Sequence, residues 1–96
     1  MIADNVNMKN KPLTSSQIRA ARALLRWRAE DLARESTVGV ATVRRAELAD
    51  SETSMTAAND GAVRRALESA GVEFIDDNGG GAGVRLRKRQ RQKQPK

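Results

Sequence analysis

The chain has 96 residues, 39% of them hydrophobic, yet Trp27 and Phe74 are its only aromatics, a composition that fits one small domain with a thin core of Leu, Val, Ile and Ala. It contains no cysteine and no histidine, which excludes disulfides, thiolate or imidazole metal sites and Ser-His or Cys-His nucleophiles. The formal charge of +6 is unevenly placed: residues 85–96 hold seven bases and no acid, residues 13–48 seven arginines against four acids, and residues 49–84 two arginines against seven acids. A polyanion would meet the first half and the tail, with the acidic 49–84 half turned away or used for something else, such as a protein partner. No apolar run approaches the roughly 20 residues of a membrane span, and MIADNVNMKNKP lacks the apolar centre of a signal peptide. The expected location is cytoplasmic, with no membrane contact.

In chain order, residues 1–12 are polar and end in Lys11-Pro12, which predicts a disordered lead or a local extended arm. Thr14 followed by Gln17 is a capping box, and Leu13 with Ile18 forms a hydrophobic staple, so the first helix is expected over about 15–26. Its buried stripe is predicted to comprise Ile18, Ala21, Leu24, Leu25 and Trp27, with Arg19, Arg22 and Arg26 on the polar side. A second helix, about 29–36, opens with Glu30 and Asp31 at the positive end of its dipole but lacks an N-cap at Arg28. The third, about 40–48, follows Gly39 and turns Val43 inward with Ala46 or Leu48 beside it. Leu32, Ala33, Val38 and Val43 fall where two steeply crossing helices must touch, and Arg44 and Arg45 are left pointing outward.

Residues 49–55 form an acidic loop, and Thr56 caps a fourth helix with Ala62, Val63, Ala66, Leu67 and Ala70 on its apolar face and Gly71 at C′. The period then changes to extended, with VEFI at 72–75 and VRLR at 84–87 around DDNGGGAG, which reads as a hairpin with a flexible loop and not as a phosphate cradle. Two placements of that ribbon stand open. It is a strand-mediated dimer element through Val72, Phe74, Ile75, Val84 and Leu86, or an intramolecular cap on the bundle. The domain plan is a lead over 1–12, a helical domain over 13–71, a hairpin over 72–87 and a basic disordered tail over 88–96.

The segment SQIRAARALLRWRAEDLARESTVGVATVRRAEL resembles the Xre family of helix-turn-helix transcriptional regulators, the phage-repressor-like group. The resemblance covers residues 13–70; the GVEFI ribbon lies outside the common core and is similar to the appendage of a subset of small regulators. It implies a mainly α fold, a four- to five-helix bundle followed by a short hairpin. It also implies that Gly39, Val40, Ala41, Arg44 and Arg45 face the major groove, with Arg28 and Ala29 near phosphates, the two arginines being suited to guanine O6 and N7. Arg22 and Glu47 would form an internal strut. The chain departs from the family pattern in four places: Thr37 stands for the usual turn glycine, Gly39 for a Ser or Thr cap, Arg28 for the helix-two cap and Ala29 for a phosphate-binding Gln. A β-branched residue at Thr37 is strained if the turn demands a positive φ.

The function expected from these features is sequence-specific DNA binding by a homodimeric transcriptional regulator at a palindromic operator, with no catalysis and no cofactor. Arg87, Lys88, Arg89 and Arg91 would add nonspecific phosphate contacts, against the plainer reading of a solubilising tail. Paired arginines are in themselves more often a solvated face. The alternative function is a protein-interaction module, an antitoxin or antiactivator, that binds another protein through the helical shell and the acidic half.

Overall fold

The computed structural model describes residues 11–50 and 52–87, so the expected lead over 1–10 and the tail from Lys88 onward lie outside the described residues. Four helices, α1 (Ser15–Leu25), α2 (Ala29–Ser36), α3 (Val40–Leu48) and α4 (Ala57–Ser69), are followed by strands β1 (Val72–Ile75) and β2 (Gly83–Leu86). The domain is mostly helical. No described helix is long and apolar enough to cross a membrane.

Helix α1 starts where the capping box places it. Thr14 Oγ1 accepts from Gln17 N at 3.1 Å, and Gln17 Oε1 accepts from Thr14 N at 3.0 Å. Leu13 and Ile18 are both buried, as a hydrophobic staple requires. Leu24 departs from the expected stripe and is 40% exposed. At about 100° per residue it lies roughly 90° from the arc centred on Ile18, Ala21 and Leu25, which face the core.

Helices α1 and α2 end alike. Trp27 N donates to Arg22 O and Arg26 N to Ala23 O, while Val38 N donates to Ala33 O and Thr37 N to Arg34 O. These are Schellman closures, and each requires a left-handed residue: Arg26 at φ 60° and Thr37 at φ 56°. Helix α4 meets the same need with Gly71 at φ 112°. The turn after α2 therefore does demand a positive φ, and Thr37 is strained there.

Eleven residues form the apolar core: Leu13, Ile18, Ala21, Ala29, Leu32, Val38, Val43, Ala46, Val63, Leu67 and Val72. Ala46, not Leu48, joins Val43 on the inner face of α3; Leu48 is 82% exposed. Every described buried side-chain polar atom has a hydrogen-bond partner. Thr53 is buried in the loop before α4, whose start is capped by Thr56 Oγ1 accepting from Asn59 N at 3.1 Å.

The hairpin is antiparallel, with Val72 opposite Leu86, Glu73 opposite Arg85, Phe74 opposite Val84 and Ile75 opposite Gly83. Strand β2 begins one residue before its expected start. Gly83 pairs with Ile75, and its carbonyl accepts from Gln17 Nε2 at 3.1 Å. The ribbon thus docks on its own helices. Val72 is fully buried, the Arg64 guanidinium lies 5.2 Å from the centre of the Phe74 ring, and Phe74 and Val84 pack against the core. Val72 is consequently a core residue and cannot be a dimer contact; Phe74, Ile75 and Val84 are half-buried and Leu86 is 41% exposed. The flexible-looking loop is closed by Asp77, whose carboxylate accepts from the N–H groups of Gly79 and Gly81, each at 3.0 Å.

Candidate nucleic-acid interface

Helix α3 is held from behind by α1. Its last residues end in an extended Ala49 without a left-handed cap, so its final carbonyls need outside donors. Ser15 Oγ donates to Ala46 O and Arg19 Nη1 to Glu47 O. The Arg22 guanidinium grips the Glu47 carboxylate with two bonds, Nε to Oε2 at 2.7 Å and Nη2 to Oε1 at 2.8 Å, and donates Nη1 to Trp27 O at 2.8 Å. The Glu47 bonds raise the Arg22 pKa above its ordinary value. The expected strut is present, and one side chain joins α1, α3 and the turn leading to α2. Ser15 and Arg19 share the task, which helical spacing gave no sign of, since it placed Arg19 only on the polar side of the helix.

On the front, Gly39, Ala41, Arg44 and Arg45 are exposed, while Val40 is half-buried against the core. Leu32, Val38 and Val43 are buried beneath them, so the expected contact between α2 and α3 is formed. Gly39 has φ −59° and ψ 144°, an ordinary N-cap conformation, and an added Cβ there would meet only Thr42 Oγ1 at 4.0 Å.

Arg28 is exposed at the N-cap of α2. It supplies no capping acceptor, but Asp31 returns half of a box: its Oδ2 accepts from Arg28 N at 2.7 Å. That bond, with Arg34 beside it, holds the Asp31 carboxyl below its usual pKa. Ala29, expected near phosphates with Arg28, is only 8% exposed and belongs to the core.

The feature that sequence reading missed is Glu30. Its carboxylate forms an ion pair with Arg44, linking the first turn of α2 to the exposed face of α3. Its pKa is lowered first by the helix-terminal N–H of Glu30 itself and then by Arg44 and Arg28. Among the described residues, Arg28 and Arg45 pair with no carboxylate. By contrast Arg64, the other arginine that begins a pair, is buried, and its Nη2 donates to Lys11 O at 2.6 Å.

Of the expected tail contacts only Arg87 is described, and its Nη2 donates to Glu68 O at 3.1 Å; Lys88, Arg89 and Arg91 lie outside the described residues. No cluster of Asp and Glu among the described residues is placed to hold a metal ion. The chain matches no family model, no curated protein and no solved structure.

Proposed function

We propose that the protein is a sequence-specific regulator that binds double-stranded DNA, with α2 as the supporting helix and α3 as the reading helix of a phage-repressor-like helix-turn-helix. The observation that carries this reading is the Arg44–Glu30 contact. It marks where the exposed face of α3 lies beside the first turn of α2, the helices being packed through Leu32, Val38 and Val43, so Arg44, Arg45 and Arg28 are all exposed on this helix pair. Arg28 suits a phosphate, a contact that positions the protein. Arg44 and Arg45 suit guanine edges, with Val40 and Ala41 lining the groove contact. Binding is the whole mechanism: no reacting group or cofactor enters it, and an occupied promoter either blocks polymerase or recruits it.

The proposed species is a homodimer on a palindromic operator with half-sites about 34 Å apart. With Val72 assigned to the core, the hairpin contributes through Leu86 and the half-buried Ile75. Sedimentation as a monomer at micromolar concentration would remove the dimer from this account.

The test of DNA binding is fluorescence anisotropy of a mixed-sequence duplex titrated with full-length protein at several salt concentrations. The affinity is expected to fall steeply with salt; on a duplex enriched from random sequences Arg44→Ala with Arg45→Ala should weaken binding at least about tenfold, and on the mixed-sequence duplex by less. An affinity unchanged by the double substitution would defeat the assignment of α3. If the chain binds no duplex but captures another protein stoichiometrically, the interaction-module reading takes its place.

A further inference from the structure

Arg44 is the one arginine of the exposed α3 face that carries a carboxylate partner, and that partner comes from a different helix. Exposed ion pairs of this kind contribute little to folding. Both side chains are about half exposed, and neither belongs to the core. In the proposed DNA complex the pair has two effects. A guanidinium has five N–H donors in a fixed fork, so one edge can stay on Glu30 while the other meets a guanine. At the same time, the carboxylate sits at the first turn of α2, where a phosphate would otherwise approach.

Resting on the DNA-binding reading, we infer that Glu30 is the specificity-determining residue of this surface: it positions Arg44 for a base edge and repels phosphate from a misaligned duplex. Nonspecific binding is nearly all phosphate contact, so a fixed negative charge at the interface weakens it in full. In the specific complex that cost is offset, because Arg44 arrives already oriented and gains its base contact with less ordering. The two effects act in the same direction and widen the gap between right and wrong sequences. Arg45, with no acid beside it among the described residues, supplies attraction without this discrimination.

The test compares the wild type, Glu30→Gln and Glu35→Gln. Glu35→Gln makes the same charge change five residues along α2, roughly 140° around the helix, where Glu35 pairs with Arg34. Each form is put through selection from random duplexes. Its affinity is then measured for the most enriched duplex and for the unselected pool. Glu30→Gln is expected to bind the pool about fivefold to tenfold more tightly and to lose a similar factor in the ratio of specific to pool affinity. Glu35→Gln is expected to move the ratio by less than about twofold, and in an Arg44→Ala background Glu30→Gln should no longer change the ratio. Equal ratios for Glu30→Gln and Glu35→Gln, with a motif still enriched, would overturn the role of Glu30 and leave DNA binding standing. Failure of every form to bind either probe would overturn the DNA-binding reading and this inference with it.

Discussion

Thr37 offers a stability test that depends on one backbone angle. The residue closes α2 at φ 56° and ψ 34°, and it is exposed, so its side chain gains no burial in return. A left-handed conformation costs an ordinary L-residue about 1–2 kcal/mol, with β-branched residues at the upper end. Its hydroxyl donates to Ser36 O, which recovers a little of that, although water can serve the same carbonyl. Thr37→Gly removes the steric cost and adds roughly 0.5–1 kcal/mol of unfolded-state entropy. The net expectation is a stabilisation of about 1 kcal/mol, or a Tm higher by roughly 4–8 °C for a domain of this size. Thermal and urea unfolding followed by circular dichroism, without DNA, reads this directly. Thr37→Val keeps the β-branch and deletes the hydroxyl; it should fall slightly below the wild type and so isolates the hydrogen bond. A Thr37→Gly protein no more stable than the wild type would refute the strain argument.

Two further outcomes concern the Arg22–Glu47 strut and the carboxylates held by N–H groups and arginines. Glu47→Ala leaves the half-buried Arg22 guanidinium without its carboxylate and should cost about 1–2 kcal/mol, allowing for solvent screening at Arg22, with a matching fall in urea midpoint. A loss below about 0.5 kcal/mol would mean the strut does not hold α3. The pH dependence has a definite sign. Glu30, Asp31, Glu73 and Asp77 all have carboxyls lowered in the folded state, by helix or loop N–H groups and by Arg44, Arg34 and Arg85. Such groups contribute stability in full above their unfolded pKa of about 4 and lose it as pH falls through the lower folded value. The chain has no histidine, so stability should be flat between about pH 5.5 and 8 and decline below about 4. A step near pH 6.5 in unfolding free energy would contradict this.

Local signals made the helices legible. A complete capping box and staple set the start of α1, Thr56 and Gly71 bracketed α4, and the boundaries of α2 and α3 were readable from their apolar spacing. Apart from the Arg22–Glu47 strut, which the resemblance implied, tertiary hydrogen bonds were not legible, because spacing along one helix does not say which neighbour supplies a donor. Gln17 shows the limit: its oxygen caps α1, as the motif requires, while its nitrogen reaches Gly83 O, 66 residues away. That bond helps seat the ribbon on the bundle, a choice the strand pattern alone left open. Likewise Arg44 was readable as exposed, but its pairing with Glu30 depends on the crossing of α2 and α3. Thr37 was identified as a strained position only conditionally, since strain needs the φ angle that the Schellman closure imposes.

The most direct measurement of where DNA sits is an amide NMR titration of the full chain with a duplex of about 20 base pairs, two helical turns, at low salt. DNA binding through the helix pair predicts shifts confined to Arg28, Ala29 and Glu30 at the start of α2, to Gly39 and to Val40 through Arg45 in α3, together with the basic tail. Shifts centred on α4 and the hairpin, with α3 unmoved, would contradict it.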